Sequence, residues 1–282
     1  MNTIIITNDT GIAKDAAAAG VQRIMVDLET IGKQERQKNL NAFFTSHTAE
    51  DIRKIRSALK KSELIVRVNP FYDGSRAEIE NAIESGADII MLPMITHISQ
   101  VEEVAKIIAG RAKFLPLIET AYSMAYIEEI AANESVSELY IGLNDLHLSL
   151  GLKFLFEPLA LGIVDFMAEK IKKQGKIFGF GGIATMGSGE LPAERILAEH
   201  VRLSSKWVIL SSRFGKDIFI NEGQGRGERI KQALANMQEK EAEFSSYTQT
   251  QMAEYSKETM GIIKRIATPS CATASPSAGL IL

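Results

Sequence analysis

Cysteine is nearly missing: the chain has one, Cys271, which excludes an intramolecular disulfide framework and any zinc site built from several thiolates. Histidine is scarce as well, and the four residues are scattered, so no cluster marks a zinc centre. No apolar run approaches the ~20 residues that a membrane-spanning helix needs. The opening MNTIIITND lacks the basic flank and apolar stretch of a secretion signal. Nor does one charge dominate: 32 Lys and Arg against 35 Asp and Glu leave a formal −3, which offers no general affinity for nucleic acid or an anionic membrane. These absences point to a cytoplasmic protein whose partners are small molecules. What the 282 residues do have is 45% apolar side chains, enough for a packed core.

Those apolar residues fall into short runs separated by helical spacing. Thr3–Thr7, Arg23–Leu28, Leu64–Val68, Ile89–Pro93, Phe114–Ile118, Leu139–Leu143, Ile177–Phe180 and Val208–Ser211 are rich in Ile, Val, Leu and Phe and do not alternate with polar residues. Strands buried on both faces read this way, as in a parallel sheet covered by helices. Between them, Asp9–Ala19, Ala49–Lys60, Ser75–Ser85, Ser99–Ala109, Ala121–Asn133, Pro158–Gln174 and Ala193–Glu199 read as crossover helices, two of them stopped by Gly86 and Gly110. The repeat predicts an α/β fold, a (β/α)₈ TIM barrel over residues 1–221. Residues 222–267 read as two amphipathic helices that need an apolar surface to pack on, and 268–282 as a mobile tail. The polar link 29–48 is long for a compact domain, which marks it as functional or disordered.

Active sites of such barrels lie at the carboxyl ends of the strands, so the polar residues ending each run are the candidates. They are Asp27 and Glu29, Arg67 and Asn69, Glu119, Asn144 and Asp145, and Ser211, Ser212 and Arg213. Glu119 and Asp145 end successive strands and can hold one face of Mg²⁺; they can equally cap helices or pair with arginine. Arg67 can grip a carboxylate or enolate through two parallel hydrogen bonds, or pair structurally with Asp27 or Glu29. Backbone amides at Gly142, Leu143 and Asn144 can face an anion. GFGGIA at 179–184 lacks the dinucleotide-binding spacing and reads rather as a tight turn than as a ligand site. His97 and His200 fall on helices and are expected at the surface, and His147 is expected to pack. His47, in the long link, is the histidine that a moving loop can bring over the mouth.

Five segments in order, Val26-Asp27-Leu28-Glu29, Arg67-Val68-Asn69-Pro70, Gly86-Ala87-Asp88 with Met91-Leu92-Pro93-Met94, Leu117-Ile118-Glu119-Thr120, and Ile141 to Asp145 with Ser149-Leu150-Gly151, resemble the HpcH/HpaI aldolase and citrate lyase β-subunit superfamily. The resemblance implies a metal-dependent carbon–carbon lyase acting on a 2-oxo acid or acyl-thioester substrate. It assigns Mg²⁺ or Mn²⁺ to Glu119 and Asp145, the substrate's enolate oxygen to Arg67, and its carboxylate to the amides around Gly142–Asp145. Asp27 and Glu29 match the family's acidic pair, which orders water or metal-bound groups; their place at the mouth makes Glu29, or a water held by Asp27, the expected catalytic base, with His47 or His147 in reserve, and Ser211, Ser212 and Arg213 form a polar rim. A homo-oligomer joined through C-terminal helices is also implied. Two positions depart from the family: Thr30 stands where the aldolase branch has histidine, and Met94 where the lyase branch has lysine.

Overall fold

Strands that carry Ile, Val and Leu on both faces have no side to turn to water, and they close on themselves. The computed structural model of the chain describes residues 1–32, 48–219 and 225–268. Its eight strands are β1 (Asn2–Ile6), β2 (Arg23–Asp27), β3 (Glu63–Arg67), β4 (Ile89–Leu92), β5 (Lys113–Ile118), β6 (Glu138–Ile141), β7 (Ile177–Ile183) and β8 (Trp207–Leu210). They form a closed parallel barrel in chain order, with β8 paired back onto β1. Ile4, Met25, Ile65, Ile89, Met91, Leu115, Leu117, Tyr140 and Trp207 fill its interior. The alternate residues, among them Ile5, Ile24, Val26, Leu64, Val66 and Ile90, pack outward against the helices.

Helices α1 (Thr10–Ala19), α2 (Ala49–Ala58), α3 (Ser75–Glu84) and α4 (Ile98–Ile108) lie close to their expected bounds. Local chemistry sets their ends: Asp9 accepts the Ile12 N–H at 2.7 Å to start α1, and Gly86 adopts a left-handed φ of 102° beyond α3. Two expected helices are interrupted. Ala121–Asn133 is α5 (Ala121–Ala125) and α6 (Ile127–Ala132), and Pro158–Gln174 is α8 (Glu157–Ala160) and α9 (Ile163–Lys173), parted at Gly162. Two short helices that the periodicity does not show, α7 (Leu143–Ser149) and α11 (Ser212–Phe219), follow β6 and β8, and α10 (Ala193–Leu203) follows β7.

The glycines of β7 do not form the expected turn. The strand continues to Ile183, but its pairing with β8 slips between Gly179 and Gly182, a β-bulge. Gly181 takes a φ of 56°, and the Tyr140 hydroxyl repairs the gap: it accepts the Ile209 N–H at 2.8 Å and donates to the Gly181 carbonyl at 2.6 Å. A Cβ on Gly179 would lie 2.6 Å from the Tyr140 ring and 2.5 Å from the Trp207 carbonyl, so the buried phenol fits only there.

The amino ends of the strands form a floor. Arg23 stacks its guanidinium 3.4 Å above the Trp207 ring and donates to Glu138 at 2.6 Å and Glu63 at 2.8 Å. Arg23, Glu138 and Trp207 are all buried. The last helices, α12 (Arg226–Ser245) and α13 (Gln249–Ala267), lie on the outside of this same barrel, α12 against α1 and α10, and α13 against α8 and α10. Their Ile230, Leu234, Met237, Phe244, Met252 and Ile263 join the barrel's outer core. The long link from 33 to 47, with His47, and the tail with Cys271 fall outside the described residues.

Candidate active site

Register brings the acidic strand ends together. Asp27 and Arg67 are ladder partners on β2 and β3, so both side chains point into the mouth. Arg67 closes a fork on Asp27, Nε to Oδ1 at 2.8 Å and Nη2 to Oδ2 at 2.7 Å, and Nη2 lies 3.5 Å from Glu29. Burial alone would lower the pKa of Arg67, but the negative charges of Asp27, Glu29 and Glu119 outweigh it and hold the guanidinium above its ordinary value. Both oxygens of Asp27 are engaged by this fork, and Oδ1 also accepts the Glu29 N–H at 3.2 Å. This fork makes Asp27 an orienting group for the guanidinium. The Nη1 edge of Arg67 has no partner among the described residues.

Glu119 follows β5 and is 2% exposed. Oε1 accepts the Met94 N–H at 2.9 Å, and Met94 presents that amide because its own φ is 52°. The glycine at 142 is what admits the carboxylate, since a Cβ there would lie 2.7 Å from Oε2. Burial first, then the charges of Asp145 and Glu29, push the Glu119 carboxyl well above the ordinary carboxylate range, against the pull of Arg67 and the Met94 amide. Asp145, itself buried, sits in the first turn of α7.

Among the described residues, no three His, Cys, Asp or Glu side chains are arranged as a metal cage. The donor set at hand is the pair Glu119 and Asp145. Two carboxylates side by side in a buried mouth are the hard oxygen donors that Mg²⁺ or Mn²⁺ takes, the rest of its shell coming from water or substrate. Gly142 starts α7 without a capping side chain, leaving the amides of the first turn to other acceptors. The Leu143 side chain is buried beside Gly181, so this residue can reach a ligand only through its backbone, and Asn144 is half-buried beside it.

The sequence pattern of the HpcH/HpaI aldolase/citrate lyase family matches residues 5–203. The chain belongs to that family. (3S)-Malyl-CoA thioesterases of Cereibacter sphaeroides are 35–36% identical to it over 101 residues, 34% of this chain and 34% of theirs. The match thus spans about a third of those relatives' length. Among solved structures, the HpcH/HpaI aldolase of Desulfitobacterium hafniense DCB-2 superposes with a TM-score of 0.58 at 17% identity, covering 79% of this chain and 94% of that one. The citrate synthase SbnG gives 0.58 at 17%, with 85% and 93% covered. At such identities the two structures speak for the fold alone.

In this HpcH/HpaI family member, Thr30 does not enter the mouth as a catalytic side chain. Its N–H and hydroxyl donate to the Asn69 side-chain Oδ1 at 2.8 and 3.3 Å, and the Asn69 Nδ2 donates in turn to Glu78 at 2.7 Å. Asn69 therefore anchors the chain after β2. His147 packs as expected, buried with Nδ1 3.2 Å from the Leu143 carbonyl. His97 is exposed and caps α4. His200 is not at the surface: it is fully buried, stacked 3.7 Å from Phe180 and bonded through Nδ1 to Ser205 at 2.9 Å. Ser212 is exposed at the start of α11, and no described contact joins it to Arg67 or Glu119. Sequence reasoning missed Met94's backbone and Tyr140. The first carries no functional side chain and the second sits inside an apolar run.

Proposed function

We propose that this protein is a divalent-metal-dependent carbon–carbon lyase that cleaves or forms a 2-oxo acid through its enolate. The observation that carries the reading is Glu119, buried against Asp145 and Glu29 beside the Arg67 fork. Glu119 and Asp145 would hold Mg²⁺ or Mn²⁺, which supplies Lewis-acid polarisation of the substrate's oxo and carboxylate oxygens. The Nη1 edge of Arg67 donates to the oxygen on which charge develops as the C–C bond breaks. Asp27 fixes that guanidinium in place. Glu29 accepts the proton of the departing hydroxyl, whose oxygen becomes the new carbonyl, while the bonding pair passes to the oxo acid carbon. Amides of the first turn of α7 face the substrate carboxylate. The reading extends to a homo-oligomer, which would use the faces of α12 and α13 turned away from their own barrel.

Glu119→Ala and Asp145→Ala should each abolish metal-dependent cleavage of 4-hydroxy-2-oxo acids, and calorimetry should show loss of Mg²⁺-dependent oxalate binding. Undiminished turnover in either variant sinks the reading. A second reading, hydrolysis of an acyl thioester with the same residues, is favoured by one observation: the curated relatives are named as malyl-CoA thioesterases. Product analysis with malyl-type thioesters separates free thiol release by hydrolysis from release of an aldehyde fragment.

A further inference from the structure

The mouth has two unlike halves. Asp27, Arg67 and Glu119 occupy the inward positions at the ends of β2, β3 and β5, but the arc formed by β7, β8 and β1 carries no charge there: its inward faces run through Gly182, through Ile209 to the half-buried Ser211, and through Ile6 to the half-buried Asn8. Ile6 and Ile209 pack on the inner core and are only partly buried. The layer beneath them is buried and the floor is closed by Arg23 and Trp207, so the exposed flanks of both isoleucines open into the mouth. Gly182 is the ladder partner of Ile209 and faces the same side. Neither backbone nor packing demands a glycine there. Its φ is not positive, and the nearest atoms to a Cβ there would be Ser211 Cβ at 3.4 Å, the Ile209 carbonyl at 3.6 Å and Ser211 Cα at 4.0 Å, all ordinary contacts. The cation that follows β8, Arg213, is turned to Asp217 at 3.1 Å and Ser188 at 3.2 Å.

We propose that Ile6, Gly182 and Ile209 form an apolar subsite, facing the carboxylates, that takes an uncharged aliphatic chain on the substrate and disfavours a second carboxylate there. This rests on the reading above that the charged half holds the oxo acid head. Gly182 provides the width, and the two isoleucines the apolar surface.

The test is calorimetry of the full chain with Mg²⁺ and three ligands: pyruvate, 2-oxohexanoate and 2-oxoadipate. Burial of the chain should tighten 2-oxohexanoate over pyruvate by about fourfold per methylene, while 2-oxoadipate gains nothing. Gly182→Val should bring 2-oxohexanoate down to the pyruvate value and leave pyruvate unchanged. Ile209→Asn, which fills no space, should shift the same ligand in the same direction. Equal or tighter binding of 2-oxoadipate overturns the subsite, and so does parallel weakening of pyruvate and 2-oxohexanoate in both variants. Wild-type protein that binds neither pyruvate nor oxalate overturns the head-group reading and the subsite with it, a pattern distinct from the other two.

Discussion

In the proposed mechanism Arg67 divides its guanidinium between holding Asp27 and meeting the substrate, and substitutions separate the two tasks. Lysine keeps the charge but cannot fork onto Asp27 and present a further edge. Arg67→Lys should lower kcat about 100-fold or more with the protein still folded, as steady-state kinetics beside circular dichroism will show. Arg67→Ala leaves Asp27 and Glu29 buried without their countercharge and should cost about 3–5 kcal/mol in urea unfolding. His200 makes a separate prediction. Burial first, and then the nearby amino terminus, lowers its pKa to about 3 from an ordinary 6.5. The folded state then binds fewer protons than the unfolded state between those values, so its contribution is complete above pH 6.5 and is lost as pH falls toward 3. Within that window each pH unit removes at most about 1.4 kcal/mol. His200→Asn, which can keep the bond to Ser205, should flatten melting temperature against pH between 6.5 and 4; an unchanged slope would assign the acid sensitivity elsewhere. The charged residues of the mouth are legible in the chain because each ends an apolar run. His200 is not, since helical spacing does not say that Phe180 will stack on it.

At the scale of elements, the eight strands were readable because burial on both faces demands unbroken apolar runs, and few other structures do. β7 was the exception beyond residue 180. Glycine carries no periodic signal, and the bulge there is specified by a tyrosine nearly forty residues earlier in the chain. Tyr140→Phe removes the acceptor for the Ile209 N–H and the donor to Gly181, both in the interior. The expected loss is about 1–3 kcal/mol in denaturant unfolding, accompanied by faster hydrogen exchange at the Ile209 amide. Unaltered exchange there would mean that the bulge holds without the phenol. Helix positions were legible but their interruptions at Tyr126 and Gly162 were not, because tertiary packing sets where a helix breaks.

For the whole molecule, α12 and α13 are continuous with the barrel's outer core rather than appended to it. A chain ending at Gly225 would uncover the faces of α1 and α10 and lose Ile230, Leu234, Met237 and Phe244 from that core. It should aggregate or melt well below the full protein, as size-exclusion chromatography and thermal unfolding will show; a monodisperse, equally stable truncation would contradict this packing. The amphipathic pattern announced the apolar faces, but the chain alone does not say which surface they choose. The plugged base of the barrel sets a final constraint. With Arg23 plugging one end against Trp207, traffic uses a single doorway. For the lyase proposed above, a product would leave by it before fresh substrate enters, so the last product to depart should inhibit competitively against the first reactant to arrive.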